Sequence, residues 1–245
     1  MDPFAQRLLQ ARQGGVPAAW REGVPADARQ AYAVQDATLA ALSATGGWKV
    51  DASAPDAEPT CAPLPAAGLR ADGARLHGAG WGLRGIEVEV ALRLGLDLDG
   101  SAGPPPLEVL QSAVAAVQPA IEVVETRLQD WRASPPLAQL ADLQSHGALV
   151  LGAAATLPPA ELDLRQLVAY LAFDGQPVAS ARGAHPVGDP WRLLAWLAVH
   201  CSRRGQPLRA GQVVTTGSCT GLLFAPEGAR VEAQLHGIGR VGLQF

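Results

Sequence analysis

Residues 85–92 read Gly-Ile-Glu-Val-Glu-Val-Ala-Leu, an apolar and β-branched octapeptide that carries two glutamates, Glu87 and Glu89. This composition predicts a β-strand. Because strand side chains alternate between faces, both carboxylates point to one face and the apolar side chains to the other. Two like charges side by side repel each other, and a hard divalent cation would remove the repulsion by taking their oxygens as ligands. An acidic strand face exposed to solvent is the alternative interpretation.

A third carboxylate, Glu122, lies among apolar neighbours in residues 116–127, which also predict a strand. Buried carboxylates are rare unless they are paired or bound to a metal. A buried ion pair with Arg127 or another arginine would explain Glu122 without a metal. With Glu87 and Glu89, however, Glu122 would complete a three-carboxylate set from two strands. Three carboxylates without His or Cys suit Mg²⁺ or Mn²⁺ better than zinc and leave positions open for water and a chelating substrate.

The composition limits the classes of protein to which the chain can belong. The chain has 245 residues, of which 48% are hydrophobic and 17% charged, enough for one large core with a small N-terminal element in front. A net charge of −4 without a basic cluster argues against a nucleic-acid partner. No apolar run approaches the ~18 residues of a membrane span, and residues 1–7 lack a signal-peptide pattern. Cys61, Cys201 and Cys219 are odd in number and widely spaced, which predicts free thiols and a cytoplasmic location.

The order of the elements predicts an α+β protein. Apolar spacing indicates one helix that ends before Gly14-Gly15 and a second that begins after Asp27 and stops at Gly46-Gly47. Residues 48–50 predict a short strand, and residues 51–80 a long loop or lid. The rest of the chain predicts mostly antiparallel strands and two helices. These elements are a helix near 107–116, a strand at 148–151, a hairpin of 167–173 and 178–181 around Asp174-Gly175, a helix from Asp189-Pro190, and closing strands at 211–216, 229–235 and 240–245.

Seven motifs in order resemble a known family. They are Gly47–Val50, Val88–Leu92, Pro119–Val124, Ser145–Gly152, Pro190–Ala198, Leu208–Ser218 and Gly237–Val241. The chain resembles the 2-oxopent-4-enoate hydratase / 4-oxalocrotonate decarboxylase family of the fumarylacetoacetate hydrolase superfamily. The resemblance implies a mixed β-roll of the fumarylacetoacetate hydrolase C-terminal type, with a helical N-terminal segment over residues 1–46 and a catalytic domain over residues 47–245.

The resemblance also implies a site. A divalent metal, Mg²⁺ or Mn²⁺, would be held by the positions of Glu87, Glu89 and Glu122. The catalytic Lys49 would project into this site. Ser145 and the turn Thr216-Gly217-Ser218 would contact a 2-oxo acid substrate. Four segments around the expected pocket depart from the family pattern and bear on the choice of substrate: Asp51-Ala52-Ser53, Cys61-Ala62, Glu125-Thr126-Arg127 and Leu143-Gln144.

Three functions fit this resemblance. The first is a metal-dependent lyase of the 2-oxopent-4-enoate hydratase type, acting on a 2-oxo or 2-hydroxydienoic acid in aromatic catabolism. The second is a 4-oxalocrotonate-type decarboxylase, whose substrate has a second carboxylate that requires a cation; Arg70, Arg84 and Arg127 are candidates. The third is a catalytically altered subunit in a complex with a partner hydratase or decarboxylase. We expect a homo-oligomer that binds neither nucleic acid nor membrane.

Lys49 and the histidines carry separate expectations. Lys49 could move a proton on the carbon chain of the substrate if burial lowers its pKa toward neutrality. A surface lysine, or one that only neutralises the carboxylates, is the alternative. The five histidines are scattered without metal-ligand spacing, so structural or solvent-facing roles are expected. His146 is singled out because it follows Ser145.

Overall fold

The computed structural model describes all residues from Met1 to Phe245. Its helices are α1 (Pro3–Arg12), α2 (Ala28–Leu42), α3 (Leu107–Ala113), α4 (Pro136–Ala141) and α5 (Pro190–Arg203). Its strands are β1 (Thr45–Asp51), β2 (Thr60–Pro65), β3 (Leu69–Ala71), β4 (Ala74–Arg75), β5 (Gly85–Leu94), β6 (Val114–Val124), β7 (His146–Leu151), β8 (Val168–Phe173), β9 (Gln176–Arg182), β10 (Val213–Ser218), β11 (Leu223–Phe224), β12 (Arg230–Leu235) and β13 (Gly239–Gln244). The α+β class expected from the sequence is confirmed.

The strands form two sheets. The larger has eight strands in the order β2-β1-β10-β5-β6-β7-β3, and β11 pairs with the start of β5. Its β1–β10 and β3–β7 pairs are parallel, and the others are antiparallel. The smaller sheet has five strands in the order β4-β13-β12-β8-β9, of which only β4 and β13 run parallel. The expected prevalence of antiparallel pairing is confirmed.

One continuous core joins both sheets to the helices. Val88 of β5, Val231 of β12 and Leu197 of α5 belong to the same buried apolar cluster. Ile86, Val88 and Val90 would all turn outward if β5 slipped by one residue, so burial fixes the register of this strand. The opposite face of β5, which carries the two glutamates, is therefore directed away from this cluster.

The expected caps and hairpin turn are confirmed. The carboxylate of Asp27 accepts a hydrogen bond of 2.8 Å from the Gln30 amide at the start of α2. Asp189 accepts one of 3.1 Å from the Trp191 amide at the start of α5. Asp174 and Gly175 connect β8 to β9 with φ of 50° and 77°, the left-handed conformations of a two-residue hairpin turn.

The predicted end of the second helix was wrong. This helix, α2, ends at Leu42, and Gly46 and Gly47 belong to β1. Glycine at 47 serves close packing rather than helix termination, because a Cβ there would collide with the carbonyl oxygen of Val213 on the paired strand β10. The close approach of β1 to β10 therefore depends on the absence of a side chain.

Residues 51–80 are not one long loop, as the sequence predicted. They contain β2, β3 and β4, and β2 pairs antiparallel with β1 along residues 60–65. Pro63 and Pro65 concealed this strand, since proline lacks the amide donor of a central strand. The prolines are accommodated because β2 lies at the edge of the sheet.

Gly47→Ala is expected to destabilise the fold strongly. The added methyl group has no space beside Val213, and overpacking of this kind costs about 1–3 kcal/mol of unfolding free energy. Chemical denaturation of the variant should show a lower midpoint. Gly82→Ala is the matched control, because a Cβ at Gly82 meets nothing within 4 Å. Equal stability of the two variants would contradict the close packing of β1 on β10.

No helix of the protein is both long enough and apolar enough to span a bilayer. Cys61, Cys201 and Cys219 are all buried and free of disulfides, as expected.

Candidate functional site

The register of β5 and β6 brings the three glutamates together. Glu87 lies directly opposite Glu122 in the antiparallel ladder, and Glu89 lies two residues further along the same face, opposite Ala120. Each of the three carboxylates offers an oxygen within 4.8 Å of the others. Glu122 and Glu89 are 0% and 2% exposed, and Glu87 is half-buried. An acidic face exposed to solvent is therefore the wrong interpretation of this strand.

The two oxygens of Glu122 have different surroundings. Oε1 accepts hydrogen bonds from Lys49 Nζ at 2.7 Å and from His146 Nδ1 at 3.1 Å. Oε2 is buried and has no partner. The ion pair expected as an alternative, with Arg127, is absent, because Arg127 Nε donates to Asp142 Oδ1 at 2.6 Å. Glu122 thus has one satisfied oxygen and one free buried oxygen.

The donor set fits a hard divalent cation. An unsatisfied buried carboxylate oxygen is costly, and three carboxylates this close together, two of them buried and Glu87 half-buried, repel one another. Glu89 receives one compensating hydrogen bond of 3.1 Å from the Gly217 amide to Oε2. A cation bound by oxygens of all three glutamates would satisfy Glu122 Oε2 and neutralise the remaining charge. The carboxylate cluster can therefore hold a metal ion.

Burial and mutual repulsion shift the pKa values of these groups in different directions. Burial raises the pKa of Glu87 to about 7, against the opposing charge of Lys49. Burial, together with Glu122 and Glu87, raises the pKa of Glu89 well above its usual range. Burial also acts on Glu122, but the charge of Lys49 and the hydrogen bond from His146 outweigh it and lower its pKa to about 2. Glu122 is thus ionised at neutral pH, whereas its two neighbours retain protons more readily.

Lys49 is buried beside the carboxylates and is the only lysine of the chain. Besides Glu122, its Nζ donates to the carbonyl oxygen of Gln144 at 3.2 Å. Burial favours the neutral amine, but the charges of Glu122, Glu87 and Glu89 outweigh it and raise the pKa of Lys49. The condition named from the sequence, that burial lowers this pKa toward neutrality, is not met. The interpretation of Lys49 as a surface residue is also wrong.

A strained turn forms one wall of the site. Leu143, Gln144 and Ser145 have φ of 51°, 50° and 57°, three consecutive non-glycine residues in the left-handed region. Each such residue costs roughly 1–2 kcal/mol relative to the right-handed conformation. The turn directs the Gln144 carbonyl at Lys49, and the Ser145 hydroxyl accepts a hydrogen bond of 2.9 Å from Trp131 Nε1. Ser145 therefore lies close to the site, with its hydroxyl engaged by Trp131.

The expected substrate-binding turn reaches the site through Gly217, whose amide donates to Glu89. Gly217 has φ of 96°, and a Cβ there would lie 2.6 Å from Asp51 Oδ1. The Thr216 hydroxyl is 3.3 Å from His185 Nε2, and the Ser218 hydroxyl donates to the Gly221 carbonyl at 3.0 Å. The fold thus brings Gly217 directly to a candidate ligand, while the hydroxyls flanking it bond to other residues.

Two residues of the site were not assigned roles from the sequence. His146 bonds to Glu122, and only its position after Ser145 drew attention to it. Asp51 lies two residues after Lys49 in β1, so its side chain shares the face of Lys49; its only hydrogen bond comes from the Ala52 amide. Burial raises the pKa of Asp51. The strand spacing of Lys49 and Asp51 could have revealed the second residue.

The arginines considered for a second substrate carboxylate are largely engaged. Arg127 is buried against Asp142. Arg84 donates to the carbonyls of Trp81 and Ala225. Arg70 is exposed and bonds to the carbonyls of Ala67 and Leu69.

A cavity of about 580 Å³ lies on the five-stranded sheet, and its lining includes none of the site residues.

The fold and the site define a β-roll protein with a three-carboxylate centre suited to a divalent cation. The chain belongs to the fumarylacetoacetate hydrolase C-terminal family, whose model matches residues 31–245. This result confirms the resemblance and the β-roll fold expected from the sequence.

Individual relatives are consistent with this membership. The 2-keto-4-pentenoate hydratase of Paraburkholderia xenovorans is 37% identical over 160 residues, which cover 65% of this chain and 58% of that protein. The 4-oxalocrotonate decarboxylase of a Pseudomonas species is 32% identical over 154 residues, covering 63% of this chain and 57% of that protein. The alignments thus span less than two thirds of these relatives.

A solved structure shares the fold along nearly the whole chain. The 4-oxalocrotonate decarboxylase from Pseudomonas putida G7, complexed with magnesium and adipate, superposes with a TM-score of 0.87 at 22% identity. The match covers 99% of this chain and 95% of that one.

Proposed function

We propose that the protein is a divalent-metal-dependent lyase of the 2-oxopent-4-enoate hydratase type, acting on a 2-oxo or 2-hydroxydienoic acid in aromatic catabolism. The observation that carries the proposal is the convergence of three carboxylates with Lys49 at their side and one oxygen, Glu122 Oε2, left free. The relatives named as hydratases support the reaction class. An all-oxygen donor set favours Mg²⁺ or Mn²⁺ as the metal.

The residues of the site would have different roles in metal binding and proton transfer. Glu87, Glu89 and Glu122 would hold the cation, which would supply Lewis-acid stabilisation of negative charge at the C2 oxygen of a 2-oxo acid. Lys49 holds a proton at Nζ and has three N–H donors, of which two are used by Glu122 and Gln144. The third can serve the substrate, so Lys49 is our candidate for proton delivery to the carbon chain.

We assign substrate contacts to Ser145 and to the turn Thr216-Gly217-Ser218. The turn reaches the metal ligands through the bond between the Gly217 amide and Glu89. Ser145 belongs to the left-handed turn that also contacts Lys49. All of these residues lie within the segment 47–245 that we propose as the catalytic domain, and residues 1–46 form its helical N-terminal extension.

Hydration fits the site better than decarboxylation of a dicarboxylate. A second carboxylate on the substrate would need a free cation, whereas Arg127 is paired with Asp142 and Arg84 bonds to backbone carbonyls. Asp51 also adds a fourth acidic group on the Lys49 side of the site. A substrate with a single carboxylate therefore suits these charges.

The alternative of a catalytically altered subunit has less support from the burial of the site. Burying Lys49, Glu89 and Glu122 beside the half-buried Glu87 costs desolvation free energy that a purely structural role would not require. We propose an active enzyme that forms a homo-oligomer. Its three buried free thiols favour the reducing cytoplasm as its location.

An absorbance assay tests the reaction. A panel of 2-hydroxydienoic and 2-oxo acids is incubated with the protein, with and without Mg²⁺, while the ultraviolet band of the conjugated acid is followed. Mg²⁺-dependent loss of the band without CO₂ release supports the hydratase. Loss with CO₂ release would instead assign the decarboxylase, and no turnover of any member would overturn an active lyase on these acids.

Metal binding should strengthen as the pH rises through about 7, the pKa of Glu87 in the folded protein. Metal ligands must be deprotonated, so protons compete with the cation below this value. In the metal-free protein the raised pKa of Glu87 has the opposite effect on folding: stability falls as the pH rises from the ordinary carboxyl value toward 7, because the folded state holds a proton that the unfolded chain has lost. Mg²⁺ should therefore raise the melting temperature more at about pH 8 than at about pH 5.5.

Thermal denaturation with and without Mg²⁺ at the two pH values measures this effect. Glu87→Gln removes one titrating group together with one anionic ligand, so stabilisation by Mg²⁺ should be smaller at both pH values and its pH dependence weaker, while Glu89 continues to titrate. A stabilisation by Mg²⁺ that is independent of pH would contradict the prediction.

A further inference from the structure

We propose that His146 is a positioning residue for Glu122, holding Oε1 so that Oε2, which has no hydrogen-bond partner, is left available to a cation. This inference rests on the metal site of the proposed function. The His146 ring is fully buried and its Nδ1 is 3.1 Å from Glu122 Oε1. The ring itself supplies no ligand to the carboxylate cluster, which consists of Glu87, Glu89 and Glu122. His146 therefore acts on the site through Glu122.

The direction of this hydrogen bond follows from the charge of its partner. An ionised carboxylate only accepts hydrogen bonds, so the proton of the bond is on His146 Nδ1. In the neutral ring, Nε2 then carries a lone pair, and this atom is buried without a partner. An unsatisfied buried acceptor costs roughly 1–3 kcal/mol. A residue that served packing alone would not need to bear this cost. The N–H donor directed at Glu122 therefore indicates a role at that carboxylate.

The ring has little freedom to leave this position. On one side it faces Gly68, where even a Cβ would lie only 3.1 Å from Nε2. Its backbone is fixed as well, because the His146 carbonyl accepts from Arg127 Nη1 at 2.9 Å and from Arg12 Nη2 at 3.2 Å. Arg127 is in turn held by Asp142. His146 is thus anchored at its backbone from helix α1 and from the segment after β6.

The two donors on Glu122 Oε1 are not equivalent. Lys49 reaches it through a flexible four-carbon chain, and its ammonium group can rotate and follow a moving carboxylate. The His146 ring is planar and confined, so it defines where Oε1 must lie. With Oε1 fixed, Oε2 is the oxygen left for a cation. Without the imidazole, the carboxylate of Glu122 would be held by Lys49 alone and could rotate.

Paired substitutions at His146 separate a hydrogen-bond donor from a packing residue. Asparagine can place a side-chain N–H near the position of Nδ1, whereas leucine has the same branching and no donor. Mn²⁺ affinity is measured by calorimetry on the purified full-length protein. We expect His146→Leu to weaken binding about 10- to 100-fold, the range for residues that orient metal ligands, and His146→Asn to restore it to within a few-fold of the native protein.

His200→Leu is the matched control. The His200 ring stacks on Trp196 with ring centroids 4.5 Å apart and lies outside the carboxylate cluster. The Mn²⁺ affinity of this variant should therefore match that of the native protein. If His146→Leu does not fold, as judged by circular dichroism, the comparison is made between His146→Asn and His146→Gln. Glutamine carries its amide nearer the Nε2 position and should bind Mn²⁺ more weakly than asparagine.

The outcomes distinguish this inference from the proposed function. Native Mn²⁺ affinity in His146→Leu, or equally weak binding in the leucine and asparagine variants, would overturn the positioning role while the metal site stands. When the leucine variant cannot be measured, equal affinity of the asparagine and glutamine variants has the same meaning. Failure of the native protein itself to bind Mn²⁺ would overturn the site and, with it, this role for His146.

Discussion

Lys49→Met is expected to reduce kcat by about 10²- to 10⁴-fold, the usual contribution of a positioned acid or base. Methionine keeps much of the length and the apolar stem of lysine but cannot hold a proton. Metal binding should survive, because Lys49 contributes a positive charge beside the carboxylates and supplies no ligand. Affinity for Mn²⁺ should even increase, since the competing cation is removed. Steady-state kinetics and calorimetry on the same preparation separate these two effects.

Lys49→Arg extends this test. Arginine keeps the charge, but its guanidinium does not release a proton at neutral pH. If Lys49 only neutralises Glu122, the arginine variant should recover activity. If Lys49 moves a proton, it should remain inactive. Near-native kcat in Lys49→Met would contradict a catalytic role altogether.

Glu122→Gln is expected to weaken Mg²⁺ binding by more than about 100-fold, beyond the range seen when a residue that merely orients a ligand is lost. The amide cannot supply the anionic oxygen that Oε2 provides, and it leaves Lys49 without its closest counter-charge. Breaking a buried ion pair from one side is destabilising, so the melting temperature of the metal-free variant should fall as well. Calorimetric titration with Mg²⁺ and thermal denaturation measure the two effects.

Glu108→Gln provides the comparison for Glu122, because Glu108 is an exposed carboxylate on α3. It should bind Mg²⁺ with native affinity and melt at the native temperature. Full metal-dependent turnover by Glu122→Gln would show that the three carboxylates do not act as one site.

Local strand geometry was sufficient to predict part of this site. Alternation along β5 places Glu87 and Glu89 on one face whatever the strand pairs with. The position of Glu122 depends instead on the register between β5 and β6, which are separated by the connection 95–113. Apolar burial sets that register. Because the sequence does not show which strand pairs with β6, it indicates only that Glu122 lies among apolar residues.

The remaining features could not be predicted because they depend on contacts between distant segments. The Glu122–His146 bond forms only where β6 and β7 meet. The raised pKa of Lys49 reflects the summed charge of three carboxylates on two other strands, which reverses the effect of burial. The left-handed turn of Leu143–Ser145 also gave no signal, because glycine and asparagine are the residues that usually mark this conformation.

The presence of one lysine in the whole chain makes the site selectively observable by isotope labelling. All other basic side chains of the chain are arginines or histidines, so Nζ of Lys49 is its only lysine side-chain nitrogen. Lysine labelled with ¹⁵N at its side-chain nitrogen and incorporated during expression would therefore introduce one NMR probe, at Nζ of Lys49, without adding atoms to the buried amine. The chemical shift of that probe, followed during a metal titration, would report the ionisation of Lys49 directly, without mutagenesis.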